Sequence, residues 1–295
     1  LKKEEIWEAL NMCDVLERAI VLTGVSSGLS AEEIIELKVK NFKEGYDPKT
    51  EITTLKLRRQ KTNVDFITFL TPEASRAIFD YLEFRNKKLK NKNKRREIQL
   101  SKQYVTSDDD YLFIMQRIPP EYLETKNDEL RKFNTHAMLN LYRNISVKAQ
   151  KNTPEGCWNI IRSHNMRKFF NSTLKNSGAD HDFVEYCMGH RLSDTKSAYY
   201  EGDPEKLREI YARYIPYLTI QKDLDISETP DFKRMAEELE NLKAENERFK
   251  VERVEFQKMA AELEEVRLEQ KDIRKHFTLR DIAREIVNVK REEHS

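Results

Sequence analysis

At 295 residues, 38% of them hydrophobic and 36% charged, the chain is long enough for a self-sufficient core and has the composition of a soluble, helix-rich protein. No run approaches the roughly 18 apolar residues of a membrane span, and Cys13, Cys157 and Cys187 form neither a C-x-x-C pair nor a disulfide framework, so a reducing, cytoplasmic setting is expected. The net charge of +1 is unevenly spread: residues 1–220 carry +5 and residues 221–295 carry −4.

The chain opens on LKKEEI, charged and helix-forming rather than a signal peptide, and a start other than Met is what a fragment would show. Ile6, Leu10, Cys13, Leu16 and Ile20 recur at helical spacing, and after SGLS a second helical run, AEEIIELKV, begins where Ser30 can cap it. Ile52–Arg59 and Asp65–Leu70 are short, rich in Thr, Ile, Leu and Phe, and separated by QKTNV, the pattern of a small antiparallel sheet. Pro72 then sits in the first turn of another helix. From Arg85 to Arg96 there are eight basic residues and no acid, enough to attract a polyanion by counterion release, although such a run is as often a solvated loop. Helical patterns return over 134–151 and from Ser163 to Tyr214.

The chemistry concentrates between Ile160 and Tyr200. His164 and Arg167 stand as H-x-x-R, Gly189 and His190 follow as a Gly-His pair, and Tyr199 lies nine residues beyond that histidine. Each feature alone is weak, since an isolated H-x-x-R is usually a helix-surface pair and most tyrosines are core or surface residues. Together, and in this order behind the QKT turn with Lys61 and LTPEASRAIFDYL, they resemble the catalytic domain of the tyrosine recombinase (integrase) family, archaeal-type integrases included. The resemblance covers about residues 1–218.

The resemblance implies a mainly α fold with a small antiparallel β-sheet and double-stranded DNA as partner. It makes Tyr199 the nucleophile that forms a phosphotyrosine link and releases a 5′-hydroxyl; the adjacent Tyr200 is the alternative. Arg167 would meet the charge developing on the phosphoryl oxygens, His190 would add a hydrogen bond there, His164 would serve as acid-base support for the tyrosine, and Lys61 would protonate the departing oxygen. No metal, nucleotide or other cofactor is implied. Arg162, Lys168 and Arg191, with Lys92, Lys94, Arg95 and Arg96 of the basic run, are the candidate DNA contacts.

One position departs from the family pattern. Where an arginine is expected after Gly-Leu the chain has Ser30, while the acid three residues on survives as Glu33; no arginine occurs between Arg18 and Arg58. Losing one preorganised donor to a transition-state oxyanion typically costs on the order of 100- to 1,000-fold in rate, about 3 to 4 kcal/mol. Three explanations are open: DNA binding kept and recombination lost, a cation recruited from elsewhere, or an engineered substitution. The alternative to an active recombinase is thus a dimeric DNA-binding protein of the same fold with a regulatory or chromosome-organising role.

The last quarter reads as a heptad. Phe232, Leu239, Asn246, Arg253 and Ala260 fall at a, and Met235, Leu242, Phe249, Phe256 and Leu263 at d; Glu238 and Glu245 at g oppose Lys243 and Lys250 at e′ of a parallel partner. The expected organisation is a catalytic and DNA-binding domain over 1–220, a linker over 221–230, a coiled-coil helix over 231–276 and a short amphipathic helix over 277–295. A homodimer through the coiled coil, with assembly on nucleoid DNA, is expected, against the simpler reading of a helix that folds back.

Overall fold

The structure, a computed structural model, describes residues 1–87, 94–154, 157–193, 203–221 and 230–292. The chain divides into two compact units, Leu1–Lys222 and Asp223–Ser295.

The first unit is built around a buried helix. The periodic run from Ile6 to Ile20 is two helices, α1 (Lys3–Asn11) and α2 (Val15–Ser27). Asp14 divides them: its carboxylate accepts from the Glu17 amide at 2.8 Å and the Glu17 carboxylate accepts from the Asp14 amide at 2.9 Å. This reciprocal cap restarts the helix within an apolar period that carries across the break. Almost every residue of α2 from Leu16 on is buried, so the helix is enclosed rather than amphipathic, and it packs against α5 (Pro72–Asn86) and α9 (Ser163–Asn176).

The second helical run is also divided. Helix α3 (Ala31–Glu36) is capped by Ser30, as its sequence position indicates, and after the extended Leu37 a separate α4 (Val39–Gly45) follows. The expected hairpin forms from β1 (Thr53–Arg59) and β2 (Val64–Leu70), antiparallel with Arg59 opposite Val64. The turn ends on Asn63, whose positive φ of 57° suits an asparagine, and the Asn63 amide donates to the Arg59 carbonyl at 2.8 Å. The sheet is tied to the core by Thr68, whose hydroxyl donates to the Ser27 carbonyl at 2.7 Å, and by α10 (His181–Cys187) packed on β2.

Two buried arginines organise the segment after α5. The Arg85 guanidinium donates to the carbonyls of Gln103 and Tyr111 at 2.5 and 2.7 Å, and Arg131 pairs with Asp110 at 3.0 Å and with Asp128. The charges persist in the interior because the backbone and carboxylates partner them. Tyr111, Ile114, Ile118 and Tyr122 form a small second core beside this network. Asn134 caps α8 (Thr135–Lys148), where a helix is expected.

The second unit contains one uninterrupted helix, Pro230–Glu292, of 63 residues and about 95 Å. The break expected near Phe277 is absent among the described residues: as far as Glu292, the residues read as a short separate helix continue the long one. Its apolar side chains Phe249, Phe256 and Leu263 are 60%, 72% and 63% exposed. Among the described residues no helix is long and apolar enough to cross a membrane.

Candidate active site

Helix α9 carries the H-x-x-R pair, so His164 and Arg167 lie one turn apart on one face. Arg167 points inward and spends its guanidinium on three elements. Nη1 donates to the Gly28 carbonyl at 2.5 Å and lies 3.5 Å from Glu33 Oε2; Nη2 donates to the Met188 carbonyl at 2.7 Å and to His190 Nε2 at 3.0 Å. Burial, only partly offset by Glu33, lowers its pKa from the usual arginine value, and the neighbouring Arg59 adds to the lowering.

Two left-handed glycines make these anchors possible. Gly28 ends α2 at φ +66°, and a Cβ there would lie 2.4 Å from Phe170 Cδ1. Gly189 has φ +66° as well, and its Cβ would lie 2.9 Å from Phe66 Cδ1. Each thus turns the chain where a side chain has no room and the left-handed backbone is costly for L-residues.

His190 follows Gly189 and is held at both ring nitrogens. A guanidinium only donates, so Nε2 accepts from Arg167 and the ring proton is assigned to Nδ1, which donates to Glu185. Lys175 Nζ donates to the other Glu185 oxygen at 2.6 Å. Burial alone would raise the Glu185 pKa, but the bonds from Lys175 and His190 outweigh it and hold the carboxyl down to about 2. Neither Glu185 nor Lys175 is marked by the sequence pattern; the only signal was an acid five residues before the histidine.

His164, near the α9 N-terminus, is exposed. Desolvation and then the cations Lys168, Arg162 and Arg167 lower its pKa below the usual 6.5, so the ring is neutral at pH 7 and able to accept a proton. Lys61 is exposed on the turn between β1 and β2 and lines a cleft of about 650 Å³ together with Ser30, Glu33 and Arg59.

Arg59 is the residue that sequence reasoning missed. Its Nε lies 3.2 Å from Glu33 Oε1, and its Nη1 donates to the carbonyls of Gly189 at 3.3 Å and Met188 at 3.4 Å. Oε1 accepts no aligned hydrogen bond, so the contact with Glu33 is an ion pair. One carboxylate therefore faces two guanidinium groups, with side chains of Arg59, Arg167 and Glu33 only 17%, 11% and 10% exposed. Ser30 cannot share in this charge: its hydroxyl accepts from the Glu33 amide at 3.4 Å while its own amide donates to Glu33 Oε2 at 2.7 Å.

The structure thus brings Arg167 and His190 into contact, sets His164 one turn before Arg167, and puts Lys61 on the cleft that Arg59 lines. Tyr199 and Tyr200 lie outside the described residues, as does Lys92; Lys94, Arg95 and Arg96 are on α6 (Lys94–Ser101), where their side chains are not described. Arg162 donates from Nε to Asn165 at 3.2 Å and stacks 4.9 Å from the Trp158 ring centroid, which is 76% exposed, while Lys168 and Arg191 are exposed.

Compared as a sequence profile, the phage integrase family matches residues 1–206. No curated protein sequence matches the chain. Among solved structures, XerA recombinase is 22% identical over 72% of this chain and 64% of its own, with a TM-score of 0.44. XerH site-specific recombinase, bound to palindromic difH substrate in a post-cleavage complex, is 15% identical over 70% and 49%, with a TM-score of 0.43. The integrase from mycobacterium phage Brujita is 15% identical over 75% and 58%, with a TM-score of 0.43. The chain spans less than two thirds of each of these proteins.

Proposed function

The chain belongs to the phage integrase family, whose profile covers residues 1–206, and from that premise we propose that it cleaves and rejoins double-stranded DNA through a 3′-phosphotyrosine formed by Tyr199. The observation that carries this reading is the constellation around Arg167: a nearly buried guanidinium in contact with His190, and a carboxylate, Glu33, shared between Arg167 and Arg59.

In the proposed step the Tyr199 hydroxyl oxygen attacks the scissile phosphorus, the bond from phosphorus to the 5′-oxygen breaks, and the phosphoryl group stays on the 3′ end as an ester of the tyrosine. The phenolic proton passes to His164, kept neutral by partial desolvation and its cationic neighbours. Lys61 supplies the proton that the 5′-oxygen takes up. Arg167 stabilises the phosphoryl oxygens through its charge, and His190, its ring oriented by Glu185 accepting the Nδ1 proton, holds the Arg167 guanidinium from Nε2. The reverse attack by a 5′-hydroxyl restores a phosphodiester. The number of ester bonds is conserved, so no nucleotide enters the balance, and guanidinium groups supply the cations without a metal.

Arg162, Lys168 and Arg191 are proposed to hold the flanking phosphates, with Lys92, Lys94, Arg95 and Arg96 extending the contact by counterion release. The long helix is proposed to pair in parallel with that of a second copy. Two DNA-binding units would then be tethered, and the second contact would gain from high local concentration. The same fold used only for binding is the second reading, favoured by Ser30 at the expected arginine position.

The test incubates the protein with end-labelled duplexes that have a randomised centre and a nick placed so that the short fragment bearing the freed 5′-hydroxyl is released. The proposed reading expects a protease-sensitive protein–DNA adduct that disappears in Tyr199→Phe while duplex binding remains. Retained binding with no adduct from the unaltered protein would favour the binding-only reading.

A further inference from the structure

The cleft beside α3 contains a cation in the place where the sequence pattern lacks one. We propose that Arg59, at the end of β1, is a catalytic residue that supplies the guanidinium absent at Ser30, donating from Nη2 to a non-bridging oxygen of the scissile phosphate. The inference rests on the strand-cleavage reading above and adds to it the residue that restores the charge.

Position is the first support. Ser30 and Arg59 line the same cleft, with Lys61 two residues further along the turn. A guanidinium from β1 thus reaches the space open to a side chain at residue 30. The carboxylate that would steady such an arginine, Glu33, pairs with Arg59 at 3.2 Å and with Arg167 at 3.5 Å. Both guanidinium groups also donate to the Met188 carbonyl. Two strand-and-helix elements far apart in sequence therefore deliver two cations onto one set of anchors.

Charge is the second support. Two guanidinium groups around a single carboxylate leave an excess positive charge in a nearly buried site, and Coulomb repulsion between them opposes folding. An arriving phosphate offsets that repulsion, which is the arrangement of an anion site that is charged before its ligand binds.

Donor accounting is the third. Arg167 has both terminal nitrogens engaged, whereas Arg59 Nη2 has no partner among the described residues. Of the four terminal nitrogens it is the one ready to donate. Glu33 and the carbonyls at residues 188 and 189 fix the rest of the Arg59 fork, so the free donor is aimed without further ordering.

The experiment measures single-turnover adduct formation on the nicked duplexes for the unaltered protein, Arg59→Ala, Arg59→Lys and the double variant Arg59→Ala/Ser30→Arg. Duplex binding and thermal melting are followed in parallel. Arg59→Ala is expected to slow adduct formation on the order of 100- to 1,000-fold, with duplex binding largely retained. Ser30→Arg in that background is expected to recover much of the loss. A methylphosphonate at the scissile position, which removes one negative charge, is expected to shrink the difference between the variants and the unaltered protein. If Arg59→Ala does not fold, Arg59→Lys carries the methylphosphonate comparison, since it keeps the charge and loses the fork.

Adduct formation by Arg59→Ala at a rate close to that of the unaltered protein overturns the inference and leaves the cleavage reading standing. So does a loss in a folded Arg59 variant that the neutral phosphoryl group does not relieve, because that marks a structural role. If the unaltered protein binds duplex and forms no adduct, both the cleavage reading and this inference fall.

Discussion

Glu33 closes the cap of α3 with one oxygen and faces Arg59 with the other, so a residue that reads as a helix cap also sets the charge of the site. Glu185 has a comparable role on the opposite side of Arg167, where Lys175 and His190 hold its carboxyl down to about 2 against a usual 4.5. His181 is the further titratable group near it, at 3.8 Å. A carboxyl whose folded pKa is depressed contributes stability that is complete above the unfolded value and is lost as pH falls toward the folded one. Stability is therefore expected to decline between pH 4.5 and about 2, and Glu185→Gln is expected to flatten that stretch of a urea-midpoint series while lowering stability at neutral pH. Equal pH dependence in the two proteins would contradict the assignment. At this scale His164, Arg167 and His190 are legible in the sequence because their spacing is fixed by one helix and one turn. Arg59 is not, since its partner Glu33 is distant in sequence and only the fold brings them together. The available hint is the Arg58–Arg59 pair itself: alternation on a strand sends one to each face, and Arg58 takes the exposed side with Asp65 at 3.1 Å.

Caps, more than apolar period, decide where the elements begin. Periodicity joins Ile6 to Ile20 into one helix, yet the Asp14–Glu17 box ends one and starts the next. Asp14→Ala is expected to cost about 0.5–2 kcal/mol of folding stability, measured by denaturant unfolding; no loss would show that packing of α2 alone sets its start. The hairpin, by contrast, was legible to within a residue, because Thr- and Phe-rich segments flank a polar turn. The pair of buried arginines at 85 and 131 was not: Arg85 opens a basic run that gives no sign one member turns inward to backbone carbonyls, and Arg131 meets Asp110 only through the fold.

For the molecule as a whole, the proposed pairing with a second copy rests on the long helix. Phe249, Phe256 and Leu263 stand exposed at successive d positions of a single helix. Burying each aromatic or leucine contributes about 1.5–3 kcal/mol, so a parallel pair would gain from every layer. Phe256→Lys with Leu263→Lys is expected to shift sedimentation from dimer toward monomer; an unchanged mass would remove the coiled-coil dimer from the account. The expected break near Phe277 was not realised because the charged, Ala- and Leu-containing sequence on either side remains helix-forming, and a change of heptad phase alters which face is apolar without ending the helix. The claim on which the rest depends is covalent catalysis by one tyrosine, and it is tested most directly by digesting the protein–DNA adduct to peptides and locating the nucleotide remnant by mass spectrometry. A remnant on Tyr199 is the predicted result; a remnant on Tyr200 or any other residue, or no remnant at all, would contradict it.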